Sequence, residues 1–200
     1  MKLFKLAAVA LLITTFTACS GGGKKILIMA SGALTVDEKD QKNIKIEPGT
    51  RHTEKEIMLD GSDKQTLTVQ SAEGSKTYDV TESGHYILNL KPDTLVGGVV
   101  RYGTGGRTGN LTGEDVDHII DSTQKLMMGQ NASDDNKTYF IVPFSVKKIS
   151  SNMESRIIGP YNGIPGTVDS DSGKTPEMYK FFTNKQKRES VEDLINERKK

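Results

Sequence analysis

Apolar residues in this chain fall mostly at every second position, in short runs divided by glycine, proline and acidic turns. Such alternation marks strands that turn one face to a core. Lys25 to Ala30 carries a continuous run, Ile26-Leu27-Ile28-Met29-Ala30, short enough for a buried strand, and alternation resumes weakly at Leu34 and Val36 beyond Gly32. Ile44 and Ile46 alternate with Lys45 and Glu47, and Pro48-Gly49 predicts the end of that strand. Ile57 and Leu59 repeat the pattern before Asp60-Gly61. The clearest pattern lies between Lys64 and Leu90. There, Leu67 and Val69, then Tyr78 and Val80, then Tyr86, Leu88 and Leu90 are divided by turns at Ala72-Glu73-Gly74 and Glu82-Ser83-Gly84. This predicts an antiparallel meander with one wet side, on which His85 accompanies Ile87 and Asn89. Leu95 to Val100 predicts another strand, weakened or bulged at Gly97-Gly98.

Helical spacing enters later. Thr112-Gly113-Glu114-Asp115 has the form of a capping box, and Val116, Ile119, Ile120, Thr123, Leu126 and Met127 make one stripe before a stop at Gly129. Tyr139 to Val146 predicts a strand interrupted by Pro143, hence an edge or a bulge. Pro176 to Phe182 predicts a short helix. Thr183, with Gln186 three residues on, then caps a final helix carrying Val191, Leu194 and Ile195. The fold expected is mainly β (α+β), an antiparallel β-sandwich-like core with two amphipathic helices near the C-terminal half. Residues 25–150 form the β-rich globular domain, and 151–200 a loop-rich C-terminal extension whose terminal helix packs on it.

The first residues follow another plan. Lys2 and Lys5 precede an apolar stretch from Leu6 to Phe16, which is the layout of a secretory signal peptide and too short to span a bilayer as a helix. Phe16-Thr17-Ala18-Cys19 resembles the lipobox of bacterial lipoproteins, with Phe16 where the usual pattern has leucine, as in the looser form of the Bacteroidetes group. The resemblance implies a signal peptide over 1–18, a diacylglyceryl group on the Cys19 sulfur, and a Gly-rich tether over 19–24. It implies a protein lipid-anchored in the cell envelope without spanning the membrane. By resemblance to the sorting rule of Gram-negative lipoproteins, Ser20 after the cysteine, not being Asp, favours the outer membrane, and the lack of the acidic export tag of some surface lipoproteins favours its periplasmic face over the cell surface.

Composition narrows the chemistry. The formal charge is +1, and losing Lys2 and Lys5 moves it two units toward acid, so no basic footprint for nucleic acid remains. The chain has 1 Cys. With Cys19 carrying lipid, none is left for disulfides, Cys-based zinc sites or thiol catalysis. No cofactor is expected.

The candidate motifs are sparse. Gly103-Thr104-Gly105-Gly106-Arg107-Thr108-Gly109 sits between a strand and a helix, but Thr108 stands where a dinucleotide fingerprint needs glycine. A binding loop is the better reading of that stretch. Asp169 and Asp171 resemble the opening of a calcium loop, yet Lys180 occupies the position of the bidentate Glu. A solvated turn is therefore expected, and no metal. His52, His85 and His118 form no recognisable set and are expected at the surface. No nucleophile elbow or paired carboxylates stand out. These absences leave a non-catalytic interaction module presented to an envelope protein partner. Tyr102, Arg107 and Tyr161, on the Gly103–Gly109 loop and the Gly159–Gly166 turn region, are the candidate contact residues. A glycan or other small-ligand module is the alternative, disfavoured by a Trp count of 0. An envelope hydrolase comes third.

Overall fold

The computed structural model describes residues 22–100, 112–166 and 176–198. In chain order the elements are β1 (Lys24–Val36), β2 (Asn43–Leu59), β3 (Gln65–Ser71), β4 (Gly74–Val80), β5 (Gly84–Leu90) and β6 (Leu95–Val100). There follow α1 (Gly113–Met127), β7 (Thr138–Ile141), β8 (Ser145–Ser150), β9 (Arg156–Ile158), β10 (Met178–Thr183) and α2 (Asn184–Arg198). The strands form two packed sheets, ordered β4-β3-β2-β1-β5-β8 and β7-β6-β10-β9. The chain is mainly β, with a sandwich-like core and two helices.

β1 is the axis. Its apolar run faces two ways: Ile26, Ile28 and Ala30 into one core, Leu27 and Met29 into the other. The first core is enclosed by the six-stranded sheet itself, with Ile44, Ile57, Leu67, Val69, Tyr78, Val80, Tyr86 and Leu88 around it. That sheet curls until β4 touches β8, and the Lys76 ammonium donates to the Phe144 carbonyl across the gap, at 2.9 Å. The second core lies between the sheets, where Leu27, Met29, Ile87 and Ile149 meet Leu95, Tyr139, Ile141, Tyr179 and Phe181.

Several expectations are corrected. The meander does not form: β3 and β4 make a hairpin, but β5 leaves them to lie parallel beside β1, with Lys24 opposite Gly84 and Ala30 opposite Leu90. β2 with β3 and β9 with β10 are also parallel. β5 has no wet side, because the second sheet covers the face carrying His85, Ile87 and Asn89, each at 0 % exposure. Asn89 meets the cost of that burial through hydrogen bonds from its amide to the carbonyls of Asp93, Ile141 and Val142.

Pro48-Gly49 does not end a strand. β2 continues through it as a bulge: Ser31 pairs with His52 and Gly32 with Pro48, leaving three residues, Gly49 to Arg51, looped out. Pro176 to Phe182 is not helical. Met178, Tyr179, Lys180 and Phe181 are all buried in β10, which lies between β6 and β9. Gly97 permits this close pairing, since a Cβ there would sit 2.1 Å from the Lys180 carbonyl oxygen.

Other expectations hold. Pro143 falls between β7 and β8, the edge strands of different sheets, so the chain changes sheet at that proline. Thr112 and Asp115 bond reciprocally at the start of α1 (3.2 and 3.1 Å), and the Gly129 amide donates to the Leu126 carbonyl at its end. Thr183 and Gln186 cap α2 in the same reciprocal way, at 3.1 and 3.0 Å. α1 buries no residue fully and rests on α2 and β7, with Arg198 paired to Asp117.

Candidate functional site

Among the contact residues expected from sequence, Tyr161 lies within the described structure. Tyr102, Arg107, Asp169, Asp171 and Cys19 lie outside the described residues. Tyr161 joins side chains that sequence reading did not bring together. On β2, His52 and Glu54 are two residues apart and so share a face, the one turned toward the second sheet. Lys91 follows the last residue of β5, Leu90, whose β1 partner Ala30 adjoins Ser31, the partner of His52. The turn at Gly159–Asn162, just beyond β9, closes over these groups.

The contacts form a chain. The Lys91 ammonium lies 3.1 Å from His52 Nδ1 and 3.4 Å from Ser31 Oγ, and His52 Nε2 lies 2.5 Å from Glu54 Oε1. An ammonium only donates and a carboxylate only accepts, so these partners suit a ring that accepts at Nδ1 and donates from Nε2. The ring thus links a buried cation to a carboxylate, and Glu54 also accepts from the Asn162 amide at 2.8 Å. Burial lowers the Lys91 pKa from its ordinary value, while Asp93 and Glu54 oppose the shift. Lys91 is 6 % exposed, which makes it part of a satisfied internal network more than a reactive amine.

The Tyr161 ring packs at a tilt against His52, with centroids 4.6 Å apart, yet the residue is 61 % exposed. What holds it is the backbone beneath. The Lys180 ammonium, delivered from the buried centre of β10, donates to the carbonyls of Gly159 (2.6 Å), Pro160 (3.3 Å) and Asn162 (2.6 Å). Gln186 of α2 donates to the Pro160 carbonyl as well, at 3.2 Å. Burial lowers the Lys180 pKa, opposed by Glu54. The turn is therefore fixed at both backbone and side chain while offering a large amphipathic ring to solvent, and Ile164 beside it is 45 % exposed. A ring held in this way has little conformational freedom left to lose on being covered.

The histidines are not surface residues of one kind. His118 is exposed on α1, whereas His52 is half-buried in the network above and His85 is fully buried. His85 Nδ1 lies 3.0 Å from the Ser155 carbonyl and 3.2 Å from its hydroxyl. Its Nε2 has no hydrogen-bond partner among the described residues, with Glu56 at 3.6 Å. Burial and the nearby Lys25 lower its pKa to about 4, against the opposing pull of Glu56. The sequence carried one clue to this face, the His52-x-Glu54-x-Glu56 alternation. It carried none to Lys91 or Lys180, whose partners are distant in the chain.

A second concave region lies at the seam where β7 and β8 meet β10. It encloses about 430 Å³ and is lined by Lys137, Lys147, Lys148, Glu177, Tyr139 and Tyr179. Lys137 pairs with Glu177 and Lys147 with Asp134, so much of its charge is already matched. The two tyrosines that line it are buried, 4 % and 1 % exposed, and pack edge-to-face on each other, which leaves little open ring face for a sugar to stack on.

Among the described residues no group of three His, Cys, Asp or Glu is placed to hold a metal ion, and no helix is long and apolar enough to cross a membrane. No family model, curated protein or solved structure matches the chain.

Proposed function

We propose that this chain is a lipid-anchored cell-envelope protein, held through Cys19 at the periplasmic face of the outer membrane, that acts as a non-catalytic interaction module. Its Tyr161 turn docks on another envelope protein. The observation that carries this reading is a tyrosine ring 61 % exposed on a backbone clamped by Lys180. Tyrosine anchors on preorganised loops are frequent binding hot spots.

The test is crosslinking of the native lipoprotein in intact cells, with the captured partner then titrated against variants. Tyr161→Ala is expected to weaken that partner's binding at least tenfold, about 1.4 kcal/mol, with the far-ultraviolet spectrum unchanged. Lys180→Met releases the turn and is expected to weaken binding although the Tyr161 side chain itself is retained. Unchanged affinity in Tyr161→Ala would remove the turn from the interface.

The seam cleft favours one second reading, a small-ligand module. Its lysines, Lys137, Lys147 and Lys148, are paired to Glu177, Asp134 and Glu82, so an acidic glycan would bind by displacing those carboxylates. Calorimetric titration with acidic and neutral cell-wall glycans separates the two readings. Binding lost in Lys147→Ala would support the cleft, and silence across the panel would retire it.

A further inference from the structure

We infer that the domain stands end-on at the lipid surface, the rim around Lys24 facing the headgroups and the Tyr161 turn carried on the part of the sheet farthest from them. The inference rests on lipidation of Cys19 and adds to that reading a direction. Only Ser20, Gly21 and Gly22 separate the cysteine from Gly23, whose carbonyl already accepts the Gly84 amide at 3.2 Å. An extended chain covers at most about 3.6 Å per residue, so the sheet begins within ~14 Å of the acylated residue whatever path the tether takes. The grip is firm. Lys24 is 0 % exposed, and its ammonium donates to the carbonyls of Gly61 (3.0 Å) and Asp63 (2.7 Å).

Register then decides which residues share this end. Lys24 lies opposite Leu59 of β2 and Gly84 of β5, and His85 lies opposite Ser150 of β8. The end of β2, the start of β5 and the end of β8 therefore form one rim, with the turns at 60–63, 81–83 and 151–154 around it. β1 runs away from that rim. Ser31, seven residues on, pairs with His52, and a strand rises about 3.3 Å per residue, which places His52 and the Tyr161 ring up to ~23 Å farther from the anchor.

Charge agrees with a rim held near lipid by its tether alone. Asp60, Asp63, Glu82 and Glu154 are exposed there, beside Glu38, Lys39, Asp40 and Lys42 of the loop that meets Leu59 and Asp60; Lys64 is paired to Asp79 and Lys148 to Glu82, so the rim is net acidic. Such a surface has no attraction for anionic headgroups, and the acyl chains, at ~0.8 kcal/mol per buried CH2, supply the hold.

The experiment uses the full lipidated chain in phosphatidylcholine vesicles that carry a nitroxide on a fraction of their headgroups. One fluorophore is placed through Ser62→Cys at the rim or Gly163→Cys beside the Tyr161 turn, where added side-chain atoms meet open space. Intact mass first reports whether Cys19 bears lipid. Quenching at position 62 at least threefold stronger than at 163 is the expected result. Equal or reversed quenching in a lipidated chain overturns the end-on orientation and leaves the anchor standing. A mass without lipid retires the anchor and the orientation together. Cys19→Ala is expected to stay in the supernatant, and its binding to the same vesicles would overturn the tether as the source of orientation.

Discussion

Gly32→Ala is expected to lower the stability of the domain by about 4 kcal/mol, read as a fall in the urea midpoint at unchanged slope. Two effects act at once. Gly32 has φ +113°, a conformation that costs an L-residue about 1–3 kcal/mol. An added Cβ would also lie 2.0 Å from the Glu47 carbonyl oxygen and 2.6 Å from the Gly49 amide nitrogen. Both are backbone atoms of the strand paired to it, so no side-chain rotation relieves the overlap. The three looped-out residues of β2 exist to fold the β1–β2 pair at this point, and the curled sheet that encloses the first core depends on the bend. Gly163→Ala, where the added carbon meets nothing within 4 Å, is the matched control and is expected to change stability by under about 0.5 kcal/mol. A loss below about 1 kcal/mol at Gly32 would show that the bend opens without cost.

Acid is expected to remove about 3 kcal/mol of stability through His85, between pH 6.5 and 4. The folded imidazole has its pKa lowered to about 4, because burial and Lys25 disfavour the charged form. The unfolded one keeps the ordinary value near 6.5. Above pH 6.5 both states are neutral and the contribution is complete. As pH falls below 6.5 the unfolded state takes a proton the folded state refuses, and stability declines by up to about 1.4 kcal/mol per pH unit until the folded pKa is reached. The groups facing the ring are Glu56, Lys25 and Ser155. Glu177 acts in the same direction: against the opposing effect of burial, bonds from Lys137, Tyr179 and Ser150 hold its pKa below the usual carboxylate value of 4.5. Its contribution is also lost as pH falls, beginning at the acid end of the His85 window. Urea titrations at pH 7, 5.5 and 4 measure the effect. His85→Gln is expected to flatten the slope across that range, and an equal slope in the variant would place the titration elsewhere.

The sequence showed strands well and their neighbours poorly. Leu67 and Val69, or Ile44 and Ile46, announce a half-buried strand because alternation is a local property. Which strand lies beside which is not local. β5 reads as the third arm of a meander, yet Tyr86 and Leu88 pair with Ile26 and Ile28 near the start of the chain. His85 and Asn89 look like a wet face because their partners, Ser155 and the Ile141 carbonyl, are far away in sequence. Tyr179 and Phe181 do alternate with Lys180, but the proline before them and the capped helix after them suggested a helical turn instead. Tyr161 stood out by residue type and its turn setting, while His52, Glu54, Lys91 and Lys180, which give it a fixed position, are assembled only by folding. Buried lysines are the hardest of these to foresee, since in a sequence each resembles the solvated lysines around it.

The place of β10 in the second sheet has a consequence for order in time. Met178 pairs with Val100, and β10 is the last of the described strands in chain order, so the middle of that sheet waits for a segment far downstream of β6. During synthesis, Leu27, Met29 and Ile87 lack the cover of Tyr179 and Phe181 until β10 arrives. Closing so long a loop is slow. Any product halted before Met178 has one face of β1 and β5 bare, ready to aggregate or to be degraded.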